Sequence, residues 1–176
     1  MKLGLVGSEM CIRDRMINSS PSEAFMEATA ADIKAMPAEA MGGMRAEHMN
    51  YMNHESMSGI RSEQIREMPP EAMSGCTAGD MQQMPPPCMG GCNSGHITHM
   101  PPEAMGGCSA DHMTHMPPEA MGGMDAPMMQ MMPPEAMGGM DAQMMQMMPP
   151  EAMQGMDADM MANMPPDVMS VMSPDM

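Results

Sequence analysis

The sequence predicts an all-α solenoid, a narrow rod of short paired helices built from a 16-residue repeat. Three observations predict it: Pro-Pro-Glu-Ala-Met-Gly-Gly, in exact or varied form, recurs every 16 residues, apolar residues return at fixed places, and methionine supplies 39 of 176 residues. Partial disorder is the alternative, because Leu, Ile, Val and Phe together number only 12 and the net charge is −16. Methionine decides between these outcomes, since its thioether side chain buries like a hydrophobe and adapts its shape.

The first segment of the chain differs from everything that follows. Residues 5–15 read Leu-Val-Gly-Ser-Glu-Met-Cys-Ile-Arg-Asp-Arg, and this string resembles a translated sequencing-library adapter. We therefore interpret residues 1–15 as an unstructured artefact that is not part of the fold. On this interpretation the authentic chain begins near Met16 and is a fragment of a longer protein.

The repeat array occupies the rest of the chain. Residues 16–36 form a degenerate first repeat, residues 37–172 form the methionine-rich array, and residues 173–176 begin another half-repeat. Apolar residues fill unit positions 5, 8, 13 and 16, counted from the first proline, so each 16-residue unit consists of two octads. Their alternating spacing of three and five residues fits neither strand alternation nor a heptad.

Each octad is predicted to form a short helix followed by a break. In the octad Pro-Pro-Glu-Ala-Met-Gly-Gly-Met, proline suits the first turn, glutamate complements the helix dipole, and Gly-Gly is expected to end the helix. The other octad begins with residues that suit an N-cap, namely Thr77, Ser109, Asp125, Asp141 and Asp157. Helices this short do not persist alone in water, so the array has to stack.

One octad, Arg61-Ser62-Glu63-Gln64-Ile65-Arg66-Glu67-Met68, resembles the tandem Thr/Ser-Pro-Glu-Gln-Ile-x-x-Leu repeats of large bacterial surface or secreted proteins. The resemblance covers residues 21–176, but methionine here replaces the Leu or Ile of those repeats, and Gly-Gly replaces their Ala. It implies a non-enzymatic structural or display segment of a larger protein, located outside the cell or on its surface. The implied partner is an unknown protein or the neighbouring repeats of the same chain.

A second functional hypothesis comes from the soft ligands. Thioether, thiolate and imidazole groups select Cu(I), and by analogy Ag(I), over hard cations. Cysteines share unit position 8 in three consecutive units, histidines share positions 12 and 15 in two, and such copies are expected to form ladders one coil apart. The candidate metal ligands are Cys76, Cys88, Cys92, His96, His99, Met100, Cys108, His112, His115 and Met116. The competing interpretation is that these sulfur-bearing residues are simply the core.

Other functions receive less support from the sequence. The acidic balance, with 23 Asp and Glu against 7 Lys and Arg, argues against nucleic acid and anionic membranes, and no apolar run reaches the length of a bilayer span. No catalytic motif is present, so the chain is predicted not to be an enzyme. The carboxylates at unit position 3 are expected to form a ladder of like charges, with Ca²⁺ binding as one use. Methionine serving as a reversible oxidant sink is a further alternative.

Overall fold

A computed structural model of the chain describes Ile17 and residues 21–171. The predictions for residues 1–15 and 173–176 lie outside this part. Within residues 21–171 there is no strand, and every helix is four or six residues long. The 3₁₀-helices span Ser22–Glu27, Ala38–Gly43, Pro70–Gly75, Pro86–Gly91, Pro102–Gly107, Pro118–Gly123 and Pro134–Gly139. The α-helices span Ala30–Ala35, Ala46–Tyr51, His54–Met57, Ser62–Glu67, Ala78–Gln83, Ser94–His99, Ala110–His115, Ala126–Met131, Ala142–Met147, Pro150–Met153, Ala158–Asn163 and Pro166–Met169.

Two kinds of octad alternate along the chain. Proline octads occupy unit positions 1–8, begin at residue 21 and at every sixteenth residue after it, and usually form a 3₁₀-helix. Cap octads occupy unit positions 9–16, begin at residue 29 and at every sixteenth residue after it, and form an α-helix. In the cap octads the expected N-caps are confirmed, for instance at Asp125, whose Oδ1 accepts a hydrogen bond of 2.8 Å from the backbone N–H of Met128.

The paired glycines do not end the helices, contrary to the sequence-based expectation. The helix Pro102–Gly107 includes both glycines and ends at Cys108, whose backbone is extended with φ −72° and ψ 145°. No glycine at these places in the described part of the chain adopts the left-handed conformation that a glycine C-cap uses. Their role therefore lies in packing rather than in backbone conformation.

Three octads, not two, complete one coil. Ala46–Tyr51, for example, packs on Ser22–Glu27 and on Pro70–Gly75, which belong to the third octad before it and the third octad after it. Every other contact between described helices follows the same rule. The octads consequently form three columns, which begin with the octads at residues 21, 29 and 37. The narrow all-α solenoid is confirmed, but its coil is one and a half sequence repeats long.

The odd number of octads per coil explains why two kinds alternate. Since stacked octads are three steps apart, every proline octad rests on cap octads, and every cap octad rests on proline octads.

The close contact between stacked octads depends on the glycine at unit position 7. A Cβ atom on Gly75 would overlap the carbonyl oxygen of Ala46 in the coil below, and one on Gly91 would overlap that of Ser62. Glycine is required here because the two backbones touch.

Six ladders run through the interior, and each ladder is a set of residues that occupy the same place in successive coils, three octads apart along the chain. Residues at positions 4 and 12, such as Ala72 and Met128, are buried beside them. Three face ladders alternate unit positions 5 and 13, and three corner ladders alternate positions 8 and 16. Met73, for example, lies between Met49 and Ile97 on a face, and all three are fully buried. Leucine is absent from residues 21–171, so burial of methionine supplies most of the hydrophobic stabilisation, about 1.5–3 kcal/mol per side chain.

None of the helices in the described part of the chain is long and apolar enough to cross a membrane.

The two adjacent glycines of one octad test the stacking contact. Gly107→Ala places a Cβ against the backbone of Ala78, and we expect it to lower the free energy of unfolding by about 1–3 kcal/mol. Gly106→Ala is the control, because its Cβ would meet the carbonyl oxygen of Met131 at an ordinary 3.5 Å. We expect this variant to change stability by less than about 0.5 kcal/mol. Urea unfolding followed by circular dichroism measures both, and equal effects would contradict the stacking model.

Candidate functional site: the sulfur-lined core and its buried polar positions

The predicted cysteine ladder does not exist, because copies in consecutive sequence repeats belong to different columns of octads. Cys76, Cys92 and Cys108 each occupy a different corner ladder and are 3–5% exposed. Above and below each cysteine lie methionines, one in each neighbouring coil of the same ladder. The expected carboxylate ladder is divided in the same way, since residues such as Glu55 and Glu71 belong to different columns. The two-octad sequence repeat therefore distributes each residue type around the rod.

Two of the thiols contact a thioether in their own octad. The Sγ–H of Cys76 donates to Sδ of Met73 at 4.0 Å, and that of Cys108 donates to Sδ of Met105 at 3.8 Å. Both methionines are fully buried. Each pair is thus a thiol and a thioether in direct contact inside a dry core.

All four described cysteines are free thiols in an environment that disfavours their ionisation. Burial raises the pKa of Cys92 and of Cys108 to about 12, and the neighbouring Cys108 adds to the rise at Cys92. Burial also raises the pKa of Cys76, with additional contributions from Asp80 and Cys92, and it raises the pKa of Cys88, with contributions from Cys92 and Cys76. These thiols are therefore protonated at neutral pH and are poor nucleophiles.

The two histidines at unit position 12 are buried and use both ring nitrogens in structural hydrogen bonds. Nδ1 of His96 accepts from the backbone N–H of Asn93 at 3.1 Å, while its Nε2–H donates to the carbonyl of Met68 in the coil below at 2.8 Å. His112 makes the equivalent bonds with Ser109 and Met84, at 3.1 and 2.9 Å. Each ring therefore closes a capping box and also joins two coils.

The remaining candidate ligands do not converge on these histidines. His99 and His115 are exposed, and Nδ1 of each bonds a carbonyl four residues earlier, at 2.9 and 2.8 Å. Met100 and Met116 are buried in two different corner ladders. Among the described residues, no group of three or more His, Cys, Asp and Glu side chains is arranged to hold a metal ion.

Sequence reasoning missed the wider role of unit position 12. Gln64 occupies this position, accepts from the backbone N–H of Arg61 at 3.0 Å, and donates to the carbonyl of Met36 at 2.8 Å. The carboxylate of Asp80 accepts from Thr77 and pairs with His54 of the coil below, Nδ1 to Oδ1, at 2.8 Å. Position 12 thus holds a buried polar group that links coils.

The signal for this role is a pairing between unit positions 9 and 12. Where position 12 carries His, Gln or Asp, its side chain accepts from the backbone N–H of position 9 and closes a capping box. In the last three units position 12 is methionine, which cannot accept in this way, and position 9 is Asp: Asp125, Asp141 and Asp157. The residues at the two positions vary together because their side chains share the task of bonding the backbone N–H groups at the start of the same helix.

Two open grooves lie on the surface of the first coils. One, of about 350 Å³, is lined by Lys34, Arg61, Glu63 and Cys88 among others, and the second, of about 450 Å³, includes Arg45 and Glu71. Neither lining includes a histidine that could activate a nucleophile. Each groove is the surface depression where neighbouring octads meet.

No protein-family model, no curated protein and no solved structure matches this chain.

Replacing His96 tests the link between coils. His96→Leu leaves the buried carbonyl of Met68 and the N–H of Asn93 without partners, so we expect stability to fall by about 1–3 kcal/mol. His96→Gln should recover most of this loss, because Gln64 makes both bonds at the equivalent position. Urea unfolding measures both variants. A leucine variant as stable as the glutamine variant would contradict the proposed link.

The raised thiol pKa values predict a loss of stability in alkali. Thiols in the unfolded chain have a pKa near 8.5, whereas Cys92 and Cys108 have a pKa of about 12 in the folded chain. Between these two pH values the folded chain therefore binds more protons than the unfolded chain does. Stability should therefore be unaffected by these thiols below about pH 8.5 and should fall as the pH rises above it. The control variant Cys76→Met, Cys88→Ala, Cys92→Met, Cys108→Met uses residues that other repeats carry, and its stability should fall less over roughly pH 8.5–11. Urea midpoints that decline equally in both proteins would contradict the prediction.

Proposed function

We propose that the array is a non-enzymatic spacer that holds other parts of a larger protein at a set distance. The single observation that supports this most strongly is the contact pattern, in which each described helix packs on helices of the third octad before it and of the third octad after it. In such a one-dimensional array, adding repeats extends the rod without changing the existing contacts. Length is therefore the property that the sequence can vary most freely.

The surface suits a rod that stays separate from its neighbours. Residues 67–171 contain no Lys or Arg, whereas the carboxylates at unit position 3, such as Glu71, Glu103 and Glu119, are exposed. A surface with charge of one sign repels copies of itself and keeps the protein soluble. These features favour an extended spacer over an adhesive one.

Display outside the cell is the setting we propose, on the basis of the octad resemblance alone. The partner on which the array depends is its own neighbouring repeat, since the buried face of each octad is completed by another octad. The described cysteines are free thiols, so the described array is held together by packing rather than by disulfides. It therefore does not need an oxidising compartment in order to fold.

Changing the number of octads tests the spacer directly. Inserting three copies of residues 117–132 adds six octads, which is two coils, and we expect the rod to lengthen by about 16–20 Å if coils are spaced like packed helices. Small-angle X-ray scattering measures the maximum dimension. An unchanged dimension, with helicity retained, would contradict the spacer.

Deletions give a matched pair for the same test. Removing residues 117–132 deletes two octads, so proline octads still rest on cap octads, and we expect a shorter folded rod. Removing only residues 125–132 deletes one octad, and the three stacked pairs that span the deletion then join octads of the same kind. The close glycine contact is lost in those pairs, so this smaller deletion should reduce the unfolding midpoint more than the larger one. The reverse order would contradict the stacking rule.

A further inference from the structure

Two pairs of sulfur-bearing side chains in the core place a thiol against a thioether. They are Met73 with Cys76 and Met105 with Cys108, each separated by three residues within a proline octad. Other proline octads carry methionine in place of the cysteine, as at Met124 and Met140, and these are equally buried. Cysteine is therefore exchangeable with methionine as a core residue. What distinguishes cysteine here is its thiol proton, which it donates to the methionine sulfur.

We propose that each of these two pairs binds one soft monovalent cation, Cu(I) or Ag(I), between the cysteine sulfur and the methionine sulfur. The sulfur atoms are 4.0 and 3.8 Å apart. If the metal–sulfur bonds are about 2.3 Å long, as zinc–thiolate bonds are, this separation corresponds to a sulfur–metal–sulfur angle of about 110–120°. Such an angle fits three sulfur ligands around one ion, and thiolate and thioether are the ligand types that select Cu(I).

The reaction replaces a proton with a metal ion and conserves charge. The S–H bond of the cysteine breaks, a sulfur–metal bond forms with the same electron pair, and one proton leaves for each cation that enters. Burial raises the pKa of these thiols by opposing a bare thiolate. A thiolate paired with a monovalent cation is neutral, so the apolar core does not oppose it in the same way.

A methionine of the same corner ladder would have to supply the third sulfur. Cys76 lies between Met52 and Met100 in its ladder, and all are buried. Cys108 lies in the same way between Met84 and Met132, which are 1% and 2% exposed. Each site would therefore consist of one thiolate and two thioethers. The histidines are not needed, since both nitrogens of His96 and His112 already bond the backbone.

A titration of the full chain with silver nitrate in chloride-free buffer tests this assignment. The chain carries Cys11→Ser, because Cys11 lies outside the described residues, and is compared with the same chain bearing Cys76→Met and Cys108→Met. This double variant gains two thioethers and loses two thiols, and its new residues are those of other repeats. We expect it to bind two fewer tightly held ions and to release two fewer protons, with an unchanged circular dichroism spectrum. Equal binding by both proteins would overturn the proposal, because thioethers or the other thiols would then account for it.

A second variant separates the pair from the thiol alone. Met73→Leu with Met105→Leu keeps both cysteines and preserves the apolar volume, so the fold is expected to hold. We expect the affinity of these two sites for silver to fall at least tenfold, measured by competition with a chromogenic chelator. Unchanged affinity would overturn the proposal. Failure of this metal assignment leaves the spacer unaffected, since the spacer depends on rod length rather than on ligands.

Discussion

A backbone contact between coils is the constraint on which the rest of this structure depends. The glycine at unit position 7 lets a proline octad touch the start of the cap octad below, and residues such as Ala46 and Ser62 at that start are small. This contact joins unlike octads only. Three octads per coil bring unlike octads together throughout the described array, because an odd step through an alternating sequence always reaches the other kind. The two-octad repeat and the three-octad coil are consequently compatible although neither is a multiple of the other.

The same alternation explains why methionine can replace leucine in this core. Every interior ladder alternates between proline octads and cap octads, so neighbouring residues of one ladder start from different backbones, usually 3₁₀-helical in one coil and α-helical in the next. An unbranched side chain with three rotatable bonds fills both kinds of space. A methionine core adapts to more than one packing arrangement, so it does not by itself fix the register of one coil on the next. Other contacts have to fix that register.

Buried polar groups at unit position 12 provide part of that specificity. Gln64, His96 and His112 each bond a carbonyl in the coil below, so sliding one coil against the next would leave these groups unpaired. The last three units have methionine there and rely on an aspartate N-cap instead, as at Asp141. The earlier part of the rod is therefore the part in which register is fixed by hydrogen bonds. The two thiol–thioether pairs lie in this part.

The sequence by itself determined the short helices, their N-caps and the burial of unit positions 5, 8, 13 and 16, because these depend on local propensity and on spacing within one octad. It also predicted a narrow solenoid, since helices of six residues persist only when stacked. What it did not determine was which copies stack, because the fit between glycine and a small residue acts between octads that are three steps apart along the chain. The tertiary structure decided this, and with it placed Cys76, Cys92 and Cys108 in three different corner ladders and used His96 and His112 to link coils through hydrogen bonds.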